Sequence, residues 1–160
     1  MDRRKHGESF WCVMAINTKI ITVRNNLHTQ LTARSGLNNV KVFKYTPIDE
    51  APKTEMIYFG DVNTSMDHEA FGKVYEENID LKIFVYVLKA GAGDTIASSC
   101  ETRALVLANE VVDQLADDIT INNTAIDSRV RNINVQNTLS DEGRICLIEM
   151  DIEAETSISE

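Results

Sequence analysis

The sequence has few of the residues that mark several common protein classes. It contains two prolines and three cysteines in 160 residues, and aromatic residues make up only 6%. These low contents exclude collagen-like chains and small scaffolds held together by disulfide bonds. Its apolar stretches are interrupted by Lys82, Lys89 or Glu149, and none approaches the roughly 18 apolar residues that a transmembrane helix needs. The sequence therefore predicts no membrane span.

What remains is the composition of a folded globular domain. Hydrophobic residues make up 43% of the chain and charged residues 26%, which is typical of proteins with a buried core. A chain of 160 residues can form one substantial core but is short for two domains. Residues 1–13 show neither helical nor strand periodicity, and their apolar part is too short for a signal peptide. We therefore expect an irregular extension over residues 1–13 and a single domain over residues 14–160.

The chain is acidic, with a formal net charge of -9. Tight binding to a phosphate backbone needs clustered lysines and arginines, so specific binding to nucleic acid is not expected. An acidic surface would instead let DNA slide past without sticking. Cys12, Cys100 and Cys146 form no C-x-x-C pair, and two of them fall in apolar periodic stretches. This pattern predicts free core thiols and a reducing compartment.

Hydrophobic periodicity predicts two helices. Apolar residues recur at three- and four-residue steps over residues 18–35 and again over residues 94–118. The second helix follows glycines at residues 91–93, and Asp94 or Thr95 is expected to cap its start. Both helices are amphipathic, so each is expected to pack one face against a sheet.

Alternating or short apolar runs predict the strands, which fall at residues 40–45, 56–59, 78–88, 119–121, 129–136 and 143–154. The run over residues 78–88 is apolar on both faces, which is typical of a central strand or of one covered by a partner. Residues 63–73 lack a clean period and are predicted to form an exposed excursion between strands. The predicted fold is α+β, with a single, mostly antiparallel β-sheet and two principal helices packed on it.

The last two strands are expected to form a hairpin around a polar turn at residues 137–142. A symmetric register places Arg131 opposite Glu149 and Arg129 opposite Asp151, and it matches apolar residues at the same time. Cross-strand pairs of this kind contribute roughly 0.2 to 1 kcal/mol each. These charge pairs are therefore predicted to help fix the register without dominating the stability of the hairpin.

Acidic residues occupy every second position near the end of the chain, at Glu149, Asp151, Glu153 and Glu155. In an extended strand these side chains share one face at steps of roughly 6 to 7 Å. This acidic stripe would suit a cation site or the wall of a channel. A solvated strand face, partly neutralised by the arginines of the preceding strand, requires fewer assumptions and is favoured.

The sequence contains no clear pattern of catalytic or ligand-binding residues. Residues 91–93 lie between a strand and a helix as in nucleotide-binding turns, but the third glycine is missing and Asp94 would occupy the phosphate position. Neither a G-x-S-x-G turn nor a cysteine and histidine pair is evident. The histidines lack the spacing of metal ligands and are expected at the surface: His6, His28 and His68. We expect a chain that is not an enzyme, with no catalytic residues, cofactor or metal.

The order of elements over about residues 14–157 resembles the tail-terminator, or tail-completion, proteins of long-tailed bacteriophages and prophages. The resemblance is carried by an N-terminal helix, a central strand at residues 80–87, a long helix containing residues 102–111 and a final strand at residues 146–154. Members of this family form a hexameric ring that caps the tail tube. The ring stops polymerisation of the tube and provides the surface on which the head connector docks.

The resemblance also implies a location and partners. It predicts a homo-hexamer at the neck end of the virion tail, assembled in the host cytoplasm and contacting the tail tube protein and head-tail connector or neck proteins. DNA would pass through the lumen without specific binding. A ring subunit must present two different complementary surfaces, and the candidate interface residues are Met66, Phe71, Phe84 and Tyr86. Another neck, head-closure or baseplate adaptor protein, or a small-ligand-binding α/β domain, is the alternative.

Overall fold

The computed structural model describes residues 18–48, 54–68 and 74–159. The extension predicted over residues 1–13 lies outside them, as do Phe71 and His6. The elements follow in the order α1 (Ile20–Ala33), a 3-10 turn (Ser35–Leu37), β1 (Lys41–Phe43), β2 (Glu55–His68), β3 (Val74–Lys89), α2 (Asp94–Asp117), β4 (Asp127–Ser140) and β5 (Gly143–Ser159).

The strands form one five-stranded sheet in the order β1-β2-β3-β5-β4. Every neighbouring pair is antiparallel except β1 with β2, which is parallel. The predicted strand at residues 78–88 is β3, and it is central in the sheet, as its two apolar faces indicated. The α+β fold with two principal helices is confirmed.

The core lies between the sheet and the helices. Alternate residues of β3 and β5 point towards the helices and are buried, among them Ile83 and Ile148. Each helix contributes an apolar stripe, with Leu27 of α1 and Leu107 of α2 fully buried. The buried side chains of both helices belong to this one cluster, so both pack on the same face. We call the opposite face of the sheet the helix-free face.

Cys100 and Cys146 are buried in this core as free thiols, as predicted. The thiol of Cys100 donates a hydrogen bond to the carbonyl of Val87 at 3.3 Å. Burial raises the pKa of Cys146 to about 11, because the thiolate would lose its hydration. Both side chains therefore behave as small apolar residues.

A buried carboxylate joins the start of α1 to the sheet. Glu77 of β3 is fully buried and accepts hydrogen bonds from the hydroxyl of Thr18 and from the backbone N–H of Lys19 at 2.9 Å. The hydroxyls of Thr64 and Thr156 each donate to it at 3.1 Å. A negative group at a helix N-terminus is also favoured by the helix dipole. Glu77 thereby fixes where α1 begins on the sheet.

A second polar contact joins α2 to β2. The guanidinium of Arg103 donates to both carboxylate oxygens of Glu55 at 2.8 Å. This bidentate hydrogen bonding lowers the pKa of Glu55. The pair fixes the flank of α2 that faces β2, so the opposite flank must face β4.

Three local predictions are wrong. Residues 63–68 are not an exposed excursion, because they continue β2 and pair with β3 from Asn63 opposite Asp80 to His68 opposite Tyr75. Residues 119–121 form a turn instead of a strand. The cap of α2 is Gly93, so neither Asp94 nor Thr95 provides it.

The turn after α2 is held by the side chain of Asp118. This carboxylate accepts hydrogen bonds from the hydroxyl and N–H of Thr120 and from the N–H of Asn122. Those bonds, led by the one from the Thr120 hydroxyl, lower the pKa of Asp118. Ile121 and the two asparagines after it adopt positive φ angles of 48°, 58° and 58°, which asparagine tolerates better than most residues. Local side-chain bonding therefore outcompetes strand formation.

The hairpin of β4 and β5 forms, but in a different register from the predicted one. Arg129 lies opposite Glu153, and Asn132 opposite Asp151. The turn is shorter than residues 137–142, since pairing extends to Ser140 opposite Gly143. A bulge between residues 130 and 132 adds one residue to β4, which changes the alternation of its side chains.

The bulge in β4 has a counterpart in β2, between Phe59 and Val62. Both bulges lie beside the same row of the sheet, where Lys82 of β3 is opposite Asp151 of β5. A bulge bends its strand and increases its twist. The two bulges therefore flank the row of Lys82 and Asp151, and we call this row the crease.

Candidate assembly surfaces

On one side of the crease the helix-free face is aromatic. The rings of Tyr58 and Phe84 stack with their centroids 5.0 Å apart, and Gly60 makes this possible because a Cβ there would lie 2.5 Å from the Phe84 ring. Tyr58, Tyr86 and Leu147 line a hollow of about 340 Å³ beside them. Burial raises the pKa of both tyrosines. This part of the face can accept apolar or aromatic contacts.

On the other side of the crease the same face is acidic. Of the predicted stripe, Glu153 and Glu155 lie here, Asp151 lies at the crease, and Glu149 lies opposite Phe84 on the aromatic side. All four alternate with buried residues of β5, so they share the helix-free face. The ammonium of Lys82 contacts Glu149 and lies 3.1 Å from Asp151. These hydrogen bonds, first the one to Glu149, raise the pKa of Lys82. A lysine therefore occupies the position between two carboxylates that a cation would take.

The arginines of β4 engage a different carboxylate from the predicted ones. Arg129 lies 2.7 Å from Glu153, and Arg131 lies 3.4 Å from the same side chain and 4.0 Å from Asp80. The pairs of Arg131 with Glu149 and of Arg129 with Asp151 are therefore wrong, because the turn lies at Asp141 and Glu142, which moves the whole of β4 along β5 relative to the predicted register. The broader prediction, a strand face partly neutralised by these arginines, is confirmed.

The edge strand β4 carries an exposed row of apolar side chains on the helix side. Ile133 is opposite Met150 and Val135 is opposite Ile148, so both point to the face on which the helices pack. They are nevertheless 44% and 37% exposed, and Leu139 is 54% exposed. We call these three residues the β4 apolar row.

Helix α2 borders the β4 apolar row without covering it. Asn137 of β4 donates a hydrogen bond to Glu101 of α2 at 2.6 Å, which fixes the flank of α2 that faces β4. Leu105 lies one turn further along this flank and is 38% exposed. Exposed apolar side chains that adjoin one another indicate an interaction surface more strongly than isolated ones do.

The predicted interface residues do not form one site. Phe84 and Tyr86 belong to the aromatic part of the helix-free face, where both are half-buried. Met66 is opposite Glu77 and therefore lies on the helix side of β2, while Phe71 lies outside the described residues. The sequence does not single out the β4 apolar row, although the alternation of its members with asparagine and glutamine is visible. Nothing in that alternation shows that β4 is an edge strand.

The histidines provide no site in the part of the chain that the structure describes. His28 is half-buried instead of exposed, with its Nε2 3.1 Å from the carbonyl oxygen of Val42, and His68 lies on β2. Across the described ranges, no three or more histidine, cysteine, aspartate or glutamate side chains are grouped so that they would hold a metal ion. No described helix combines the length and hydropathy needed to cross a bilayer.

Comparison with known proteins gives a match in structure and none in sequence. No protein-family model and no curated protein matches the chain. Among solved structures, a chain in the "Virion of native gene transfer agent (GTA) particle" matches with a TM-score of 0.52 and 15% sequence identity. The match covers 84% of this chain and 94% of that chain. The two chains therefore share a fold.

Proposed function

We propose that this chain is a structural virion protein whose copies form a ring at the end of a phage tail tube. The observation that carries the proposal is the fold shared with a chain of the gene transfer agent virion. Because the match covers 94% of that chain and 84% of this one, it extends well beyond a common supersecondary motif. The earlier resemblance to tail-terminator proteins supports the same role.

In this role the ring caps the tail tube, ends its polymerisation and forms the docking surface for the head connector. A subunit of a closed ring contacts its two neighbours through two different surfaces. The two edges of this sheet meet that requirement, because β4 carries an exposed apolar row while β2 ends in a polar segment with exposed Asp61 and Asp67. We propose six copies, as in the tail-terminator family.

The helix-free face is suited to line the lumen of such a ring. Its acidic part has more carboxylates than basic groups, and Lys82, Arg129 and Arg131 are already engaged by those carboxylates. A phosphate backbone gains affinity mainly from lysines and arginines that displace its counterions. DNA would therefore pass this surface without being held.

Electron microscopy of labelled particles tests this function. Particles of the phage or prophage that encodes the chain would carry a tagged copy, detected with gold-labelled antibody. We expect the label at the head-proximal end of the tail, and we expect loss of the chain to give headless tails of uncontrolled length. Label at the baseplate or inside the head-tail connector would assign the chain to one of the alternative positions. Particles without label would contradict a virion role.

A further inference from the structure

Two strand edges of the sheet have no strand partner among the described residues. Strand β4 pairs with β5 along one side, and its other side is the border of the sheet. Strand β1 covers β2 only from Met56 to Tyr58, so the outer edge of β2 from Val62 to His68 is not covered by a described strand. Exposed strand edges of this length present backbone groups that can pair with another chain.

We propose that β4 of one copy pairs with the Val62–His68 part of β2 in the next copy, which makes the sheet continuous around the ring. This inference rests on the ring of the proposed function and specifies the contact between its subunits. A second copy of the chain is the partner, and the contact is heterologous, because β4 and β2 are different surfaces. The pairing is a form of strand addition.

The directions of the strands permit this contact. The four long strands β2, β3, β5 and β4 lie side by side, and each is antiparallel to the next. Strands β2 and β4 therefore run in opposite directions. When one copy follows another by rotation around the ring, β4 meets the next β2 as an antiparallel neighbour, so the alternation continues without interruption.

The side chains on the helix side of the two edges are complementary. In the rows of the sheet Ile133 and Val135 are level with Phe59 and Ile57, so β4 must be shifted by about four residues along the next copy's β2 to bring Val135 opposite Val62. Strands that are tilted to the ring axis give such a shift. The β4 apolar row, which lies beyond the cover of its own α2, would then lie beside the next copy's α1.

A hollow of about 510 Å³ next to this edge of β2 is lined by Ile20, Tyr45, Ile48 and Val62. Ile21, on the outer flank of α1, is 66% exposed. Apolar side chains of one copy would therefore be buried against apolar side chains of the next.

The charges near the two edges also match. Exposed basic side chains lie on β4, at Arg129 and Arg131, and exposed acidic ones lie on the facing part of β2, at Asp61 and Asp67. Opposite charges across an interface favour the correct partner and discourage pairing of like edges.

Three exposed-site variants test the contact, with mass measured by light scattering after size-exclusion chromatography. Val135→Lys places a charge in the β4 apolar row, and Ile21→Lys places one beside the β2 edge. Val106→Lys is the matched control, since Val106 is 45% exposed but points away from the sheet. Circular dichroism melts check that each variant is folded, which is expected because all three side chains are exposed.

We expect rings from the wild type and from Val106→Lys, and single chains from Val135→Lys and Ile21→Lys alone. An equimolar mixture of the two defective variants should give dimers and nothing larger, because each variant retains one intact surface. Rings from either defective variant, a mixture that stays monomeric, or a monomeric wild type would overturn the contact. Dimers of Ile21→Lys alone would also overturn it, since they would indicate pairing of two β4 edges. The position of the label on tails is independent of these results.

Discussion

Replacing the buried Glu77 should show how strongly the start of α1 depends on one carboxylate. One oxygen of Glu77 accepts from the hydroxyls of Thr18 and Thr64, and the other accepts from the N–H of Lys19 and the hydroxyl of Thr156. Four donors match the roughly four lone-pair positions of a carboxylate. We therefore expect Glu77→Gln and Glu77→Ala to differ clearly in stability.

Glutamine has nearly the same shape but one acceptor oxygen. The N–H of Lys19 can only donate, so the amide oxygen must face it, and the new NH2 group must face Thr18 and Thr64. Their hydroxyls can rotate to accept. The cost of Glu77→Gln is then mainly the loss of charge-assisted bonding, about 2 kcal/mol. Glu77→Ala also leaves a buried N–H without a partner and opens a cavity, which should cost about 4 kcal/mol.

Urea unfolding followed by circular dichroism would measure both variants at one protein concentration. For a chain of this size about 2 kcal/mol corresponds to a fall in Tm of roughly 4 to 8 °C. Glu76→Gln is the control, because Glu76 lies on the other face and is half-buried; it should change stability by less than about 0.5 kcal/mol. Equal losses for the glutamine and alanine variants of Glu77, or a loss below about 1 kcal/mol for alanine, would refute the reasoning.

Three further outcomes can be measured on the isolated chain. The pKa of Glu55 is lower in the folded chain than its unfolded value of 4.5, so the charged carboxylate stabilises the fold above pH 4.5. This stabilisation is lost as the pH falls through the folded pKa. Arg103→Met should therefore lower the free energy of unfolding by about 1 kcal/mol at neutral pH in urea titrations, and by less in acid. An equal loss at both pH values would contradict the pairing. Burial, with a pKa of about 11, should keep Cys146 from alkylation at neutral pH until the chain unfolds, as mapped by mass spectrometry; labelling of the folded chain would refute this. In urea unfolding, Gly143→Ala should lower the free energy of unfolding by about 2 kcal/mol more than Gly93→Ala does. Both glycines have a positive φ, but only at Gly143 would a Cβ lie 2.2 Å from a backbone oxygen. Equal losses of stability would exclude this clash.

The sequence predicts best the elements whose patterns are long and regular. Helix α2 and strand β3 were identified because apolar residues recur in them at helical and strand spacing over more than ten residues. Apolar residues on both faces of β3 also indicate that it is central. In these segments local pattern and tertiary packing agree, so the prediction needs no knowledge of neighbouring elements.

The errors occur where a side chain or a bulge interrupts the pattern. Residues 63–68 contain few apolar side chains, and they form a strand because β3 provides a partner for their backbone groups. The predicted hairpin has its turn at residues 137–142, whereas the turn is only Asp141 and Glu142, so every pair of β4 with β5 is displaced; Arg131 then adds a residue within β4. At residues 119–121 the carboxylate of Asp118 determines the turn. None of these effects appears as hydrophobic periodicity.

The surfaces of the candidate site were harder to predict than the fold. The acidic stripe was found from its spacing alone, but Lys82, which lies between two of its carboxylates, comes from a different strand. The β4 apolar row has the alternation of any half-buried strand. The row is exposed because β4 is at the edge of the sheet and because α2 does not extend over it. Both are properties of the assembled fold.

The bulge in β4 determines which changes in chain length this strand can accept. Val130 and Ile133 both point to the helix side although three positions separate them, because Arg131 occupies the bulge. Deletion of Arg131 would restore a regular ladder and leave every other side chain of β4 on its present face. Deletion of Asn134 would also be absorbed at the bulge, but it would move Ile133 to the helix-free face. Deletion of Arg131 would thus leave the β4 apolar row intact, whereas deletion of Asn134, three residues further on, would remove Ile133 from it.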